Sequence, residues 1–215
     1  MKVYAEYFEE NGLSFRSNTI LQFGDSWELI GNVVLANPGS AQPTNKIDNI
    51  STDKLKEFYK SYRDTVAFKQ DNWHEFKDDA TMRFIQKIFS GGYVGKDKKL
   101  NGVIQLFNTF NIRNQNLEDA VKQIGVSSNQ LFSIGVEDFF HDKPTYFGFS
   151  NAVLENTTLR PIAEAIFNSS SVKIKSIYND SFSENAFYHP MYINRAHNQT
   201  HFQWYKEEVL KKIMR

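Results

Sequence analysis

Two short segments carry side chains suited to chemistry on a small polar ligand. Asn37-Pro38-Gly39-Ser40 follows the apolar run Val33-Val34-Leu35-Ala36. Pro38 fixes the turn, Gly39 permits a backbone path closed to other residues, and the freed amides can cradle an anion or a base carbonyl. The Asn37 side chain can orient a water or hold a base edge, although Asn-Pro-Gly also serves an ordinary strand-to-helix turn. His189-Pro190-Met191-Tyr192 places a histidine in a loop late in the chain. A neutral imidazole there can donate a hydrogen bond to charge developing on a substrate oxygen; a surface or capping histidine is the plainer alternative. A third polar segment, 108–114, contains Asn108, Asn111 and Arg113, with Phe107 and Phe110 beside it.

Other chemistries are absent or weakly encoded. His197 and His201 stand four apart, a metal-ligand spacing on a helix, but two solvated histidines are the default and no metal is expected. The chain has no cysteine, which excludes disulfides, thiolate catalysis and Cys-held zinc or iron–sulfur centres. No GxxxxGK[ST] occurs, no Ser–His–Asp order can be argued, and Gly91-Gly92-Tyr93-Val94-Gly95 follows no strand, so it is not a dinucleotide fingerprint. No cofactor is called for.

The elements that must position these residues follow from periodicity. Alternating runs at 2–8 and 13–23, separated by Asn11-Gly12, predict a hairpin over about 1–24. The stretch 27–36 ends in a continuous apolar run expected of a strand buried on both faces, and 102–110 reads alike. Short strands are expected at 145–149 and 172–178. Helices are expected at 52–62 with Ser51 or Thr52 as cap, at 79–89 ended by Gly91-Gly92, at 117–124, at 159–167, and at 201–214. This alternation predicts one α/β domain over 1–215, a three-layer sandwich on a mainly parallel sheet with the hairpin added at an edge. Asn37–Ser40, 108–114 and His189-Pro190 all fall at or just beyond predicted strand carboxyl ends, where such sheets bind ligands.

Composition narrows the partners. The chain has 215 residues, zero formal net charge and 40% hydrophobic residues, with 19 Phe, 10 Tyr and 3 Trp to fill a core. A dedicated nucleic-acid binder usually shows a basic total. DNA or RNA contact would therefore rest on a local patch such as the mildly basic 172–215, whose last cations also suit a solvated helix face. The N-terminus lacks an apolar signal core and no run reaches membrane-spanning length, so a cytoplasmic location without membrane contact is expected. The oligomeric state is not encoded legibly. The aromatic stretch 58–76 suits a partner surface or ordinary core packing, and core packing is the expectation.

Read in order, "VVLANPGSA", "DATMRFIQKIF", "VIQLFNTFNIRN", "TYFGFS" and "HPMYI" resemble the bacterial DUF1643 family across roughly 28–195. That family has an Asn-Pro-Ser loop, an Asp-x-Thr-x-Arg helix start, an Asn-Leu-Phe strand and His-Pro-Leu-Tyr. Here Gly39 stands where Ser is usual, and Gln105 where that Asn falls. More distantly the layout is similar to the uracil-DNA glycosylase superfamily. The resemblance implies that fold and a hydrolase of the N-glycosidic bond of a flipped base. In that role Asn37 would position water, Asn108 would read the base, and His189 would hold the base oxygen. It also implies Phe107 or Phe110 as stacking partners, with Pro38, Gly39, Ser40, Asn111, Arg113, Tyr192 and Arg195 as further contacts. Met191 replaces the Ser of the family's His-Pro-Ser loop, and an Asn alone cannot accept a proton. The alternative is a module on the same scaffold that binds a nucleotide or nucleic acid without chemistry.

Overall fold

The computed structural model describes residues 1–62, 68, 70–124, 135–169, 181–184, 187–198 and 207. It opens on the expected hairpin: β1 (Lys2–Glu10) and β2 (Leu13–Phe23) pair antiparallel from Lys2↔Gln22 to Glu10↔Leu13. Asn11 and Gly12 between them have φ of 53° and 74°. Positive φ at both positions matches a two-residue turn to the right-handed strand twist.

The described residues form an α/β fold on one seven-stranded sheet, which adds β3 (Leu29–Leu35), β4 (Pro43–Lys46), β5 (Trp73–Phe76), β6 (Gly102–Asn108) and β7 (Thr145–Gly148). The strand order is β4-β5-β1-β2-β6-β3-β7. The sheet is mixed, which corrects the expectation of a mainly parallel one. Only β3 with β6 and β3 with β7 run parallel; β1–β2, β1–β5, β2–β6 and β4–β5 are antiparallel. The hairpin is not an edge addition either. Four-residue strands β4 and β5 extend the sheet beyond β1 and leave β2 in its interior. Pro43-Thr44-Asn45-Lys46 shows no apolar alternation, because that strand is largely exposed at the sheet edge, so its sequence carries no strand signal.

Six helices cover the sheet among the described residues: α1 (Asn49–Tyr62), α2 (Ala80–Ser90), α3 (Leu117–Lys122), α4 (Asn151–Leu154), α5 (Leu159–Ser169) and α6 (Pro190–Asn198). Helix α1 starts earlier than expected, because Asp48 rather than Ser51 or Thr52 accepts the first free N–H, that of Ser51, at 2.7 Å. Asp79 caps α2 by accepting the Met82 N–H at 2.9 Å, and Gly91 ends it at φ 75°. His189-Pro190 is not a free loop: Pro190 opens α6, a position where its locked φ fits and its missing N–H is not needed. The expected strand at 172–178 and helix at 201–214 lie outside the described residues, as do His201 and most of the basic 172–215 segment.

Strand alternation sends side chains to two apolar layers. On one face Val33, Leu35, Ile104 and Leu106 meet Met82, Ile85 and Ile88 of α2 and Ile193 of α6. On the other, Val34, Val103 and Phe107 meet Leu55 and Phe58 of α1 and Ala163 and Ile166 of α5. Most of the aromatic stretch belongs to this second layer, where Phe58, Tyr59 and Trp73 are buried and Phe68 stacks on Trp73 at 5.4 Å, while Phe76 is buried in the first. Among the described residues, no helix is long and apolar enough to cross a membrane.

One polar link crosses the second layer. Gln105 Nε2 donates to Asn32 Oδ1 and to the Phe139 carbonyl, both at 3.0 Å, and Asn32 Nδ2 donates to the Phe140 carbonyl at 3.0 Å. Both side chains are at most 1% exposed. Asn32→Ala leaves the Gln105 amide and the Phe140 carbonyl without these partners, so it should destabilise by roughly 1–3 kcal/mol. Urea unfolding checks this, and the double variant with Gln105→Ala should lose less than the sum of the singles.

Candidate functional site

The parallel trio β6, β3 and β7 ends its strands at one edge of the sheet, and a cleft of about 520 Å³ opens there. Each wall comes from a different element. Leu35, Ala36, Asn37, Gly39 and Ser40 leave β3; Leu106 and Asn108 end β6; Ser150 follows β7. Asp79 to Met82 begin α2, and His189, Met191 and Tyr192 begin α6.

The Asn37 loop is braced from the segment after β6. The Thr109 N–H donates to the Leu35 carbonyl at 2.7 Å and the Phe110 N–H to the Ala36 carbonyl at 3.2 Å. Asn37 Nδ2 donates to the Asn114 carbonyl at 2.9 Å, which settles the amide's orientation and leaves Oδ1 as its acceptor. Arg113 clamps the far side, Nε to the Ala41 carbonyl and Nη2 to the Ser40 carbonyl, both at 2.7 Å. Gly39 takes the left-handed φ of 42° that this path requires.

Asn108 is 1% exposed, and neither its Nδ2 nor its Oδ1 has a hydrogen-bond partner. Buried amides are normally satisfied. A side chain open as both donor and acceptor suits a ligand edge with a carbonyl beside an N–H. Opposite it, His189 Nδ1 accepts the Met191 N–H at 3.2 Å, so the proton of the neutral ring sits on Nε2. Burial lowers the His189 pKa to about 4, with the negative charge of Asp79 opposing; the ring is neutral at pH 7. The neighbouring backbone is held by the Tyr146 hydroxyl, which donates to the Tyr188 carbonyl at 2.5 Å.

The other sequence candidates separate. Tyr192 lines the cleft and is 43% exposed at its mouth, with the Arg195 guanidinium 5.7 Å from its ring centre. Arg195 and Arg113 therefore support the wall rather than form it. Phe107 and Phe110 face away: alternation along β6 turns Phe107 into the opposite core layer, and Phe110, past the strand's end, is buried in that same layer, at 2% and 0% exposure, which corrects their assignment as stacking partners. Pro38 and Asn111 are buried behind the cleft. His197 lies against the Tyr93 ring on α6, and the described residues contain no cluster of three metal-ligating side chains.

Three cleft residues escaped the sequence reading. Arg16 on β2 is 3% exposed, and burial pulls its pKa to about 10, with Asp79 opposing and Arg113 adding to the shift. It reaches the cleft because β2 runs antiparallel to β6, which sets Arg16 beside Asn111 past the end of β6; the Arg16 N–H donates to the Asn111 carbonyl at 3.0 Å. Asp79, expected as the first residue of a helix, is the cap of α2 and also faces the cleft. Ser150 has a φ of 70°, and its hydroxyl is buried without a partner. Such backbone in a non-glycine residue is costly and clusters at functional sites. No sequence signal marks it. Comparison with protein-family models, curated proteins and solved structures finds no match to this chain.

Two measurements probe the site's electrostatics. A histidine depressed to about 4 in the folded state and titrating near 6.5 when unfolded binds more protons unfolded between those values. Its contribution is complete above about pH 6.5 and lost as pH falls towards 4. His189→Asn, whose Oδ1 can still accept the Met191 N–H, should flatten that part of the stability–pH curve. Asn108→Leu should raise the unfolding free energy by about 1–3 kcal/mol by removing two unsatisfied buried groups; a lowered value in chemical denaturation would show that the amide has a structural partner.

Proposed function

We propose that the cleft receives a nucleobase and that the protein hydrolyses an N-glycosidic bond, the chemistry implied by the resemblance to the uracil-DNA glycosylase superfamily. The observation that carries the reading is that Asn37, Asn108 and His189, far apart in sequence, line one cleft in which the Asn108 amide is open on both atoms. In this reading Asn108 Nδ2 donates to a base carbonyl and Oδ1 accepts the adjoining ring N–H. The His189 Nε2–H donates to a second ring oxygen, where charge accumulates as the bond to the sugar breaks. Tyr192 stacks at the mouth.

The water needs both a position and a proton acceptor. Asn37 Oδ1 accepts a hydrogen bond from it, while the Asp79 carboxylate supplies the acceptor that an amide cannot be. The water oxygen bonds to the anomeric carbon, its proton goes to Asp79, and the glycosidic electron pair leaves on the base, which solvent protonates. A second reading, binding without chemistry, is favoured by the structural duties of two of these groups: Asn37 braces its loop and Asp79 caps α2.

Single-turnover excision assays on uracil, hypoxanthine and alkylated bases, in oligonucleotides and as free nucleotides, decide between the two. Asp79→Asn keeps an oxygen for the Met82 N–H and should slow cleavage by about 10²–10⁴-fold with little change in thermal stability. Failure of the wild type to release any base, or full activity in Asn37→Ala, would reject catalysis.

A further inference from the structure

The scheme above leaves Arg16 without a duty, although it is the one permanent cation among the residues lining the cleft. Its Nε and Nη1 are closed off from solvent with no hydrogen-bond partner. Among the described residues no carboxylate lies within ion-pair distance of it. Asp79 is engaged with the Met82 N–H, and the Phe76 ring, 5.6 Å from the guanidinium carbon, offers its face but accepts none of the in-plane N–H groups. A buried charge without a counter-ion or acceptors lowers stability.

We propose that Arg16 binds the phosphate of the ligand, and that the ligand is a mononucleotide rather than a nucleic-acid strand. The proposal rests on the base site described above and adds the substrate class to it. A guanidinium presents a planar fork of donors that fits two phosphate oxygens. A cleft of about 520 Å³ lies within the range of small-molecule sites. Among the described residues it encloses one permanent cation, enough for one phosphate. A strand carries phosphates on both sides of the bound nucleotide and calls for free cations along the rim. Among the described residues the arginines nearby are engaged: Arg113 with the Ser40 and Ala41 carbonyls, Arg83 with Asp78 at 3.0 Å, and Arg195 over Tyr192. Hydrolysis of such a substrate yields the free base and the sugar 5-phosphate, with the water oxygen on the sugar and a hydrogen on the base.

Isothermal titration of wild type, Arg16→Met and Arg16→Lys tests this, using 5′-monophosphates, nucleosides and free bases of uracil, hypoxanthine and guanine, with a 12-nucleotide single strand as competitor. In wild type the monophosphate should bind at least about tenfold tighter than its nucleoside, the gain expected of a hydrogen bond to a charged group. In Arg16→Met the ratio should fall to about one, with base binding unchanged and the ligand-free melting temperature raised; Arg16→Lys should recover part of it. Equal affinity for monophosphate and nucleoside in wild type overturns the proposal, as does a ratio that survives in Arg16→Met. A strand that binds more tightly than the monophosphate overturns the substrate class. The base site fails separately: if no base or nucleoside binds, yet inorganic phosphate stabilises wild type and not Arg16→Met, phosphate recognition by Arg16 stands and the nucleotide assignment falls.

Discussion

The seam between β3 and β6 continues past the ends of both strands, and the cleft depends on that continuation. Parallel pairing ends at Leu35↔Asn108. Beyond it the Leu35 carbonyl accepts from both the N–H and the hydroxyl of Thr109, at 2.7 and 3.1 Å, and the Ala36 carbonyl accepts from Phe110. The Asn37 amide and the Arg113 guanidinium then join the two departing loops through carbonyl groups. Loops leaving a sheet are ordinarily its most mobile parts. Here they are stitched to one another, so Asn37 and Asn108 hold fixed positions before any ligand arrives, which is the condition under which polar groups act without reorganisation.

Both faces of the sheet bury polar side chains. On the α1 and α5 side, Gln105 Nε2 donates to Asn32 Oδ1 and the Phe139 carbonyl, and Asn32 Nδ2 to the Phe140 carbonyl, while Gln105 Oε1 is left without a partner. On the α2 and α6 side, Asn108, Arg16 and Ser150 keep polar atoms with no partner, and all three line one cleft. Gathered in one cleft, these three side chains present free donors and acceptors to one space.

Much of this was legible in the chain. Asn11-Gly12 marks the hairpin because a two-residue turn demands positive φ, and Asp79 with Gly91 brackets α2 because helix ends demand a cap and a left-handed exit. Asn37, Asn108 and His189 could be joined because apolar runs place each near a strand end. The errors share one cause. Pro43-Thr44-Asn45-Lys46 and Trp73-His74-Glu75-Phe76 are too short to read as strands, so the sheet's extension beyond β1 was invisible, and no local pattern shows that β2 pairs with β6. With it went the central place of β2 and hence Arg16, which no local pattern distinguishes from a solvated strand arginine. Phe107 and Phe110 were misplaced because aromatic character says nothing of which face a residue takes; the single step from Phe107 to Asn108 decides that.

The interior place of the hairpin also bears on how the chain reaches its fold. The strands that leave the ribosome first close on each other locally, yet β2 finds its second partner only when Thr19 meets Leu106 and Phe23 meets Gly102, and β1 finds its own when Val3 meets Phe76. Until then both strands of an early hairpin present unpaired edges. Contacts so distant along the chain carry a high loop-closure entropy and set a slow assembly step. Arg16 lies on one of those waiting strands, among Ser14, Ser17 and Asn18, so its guanidinium stays hydrated until the sheet completes and encloses it.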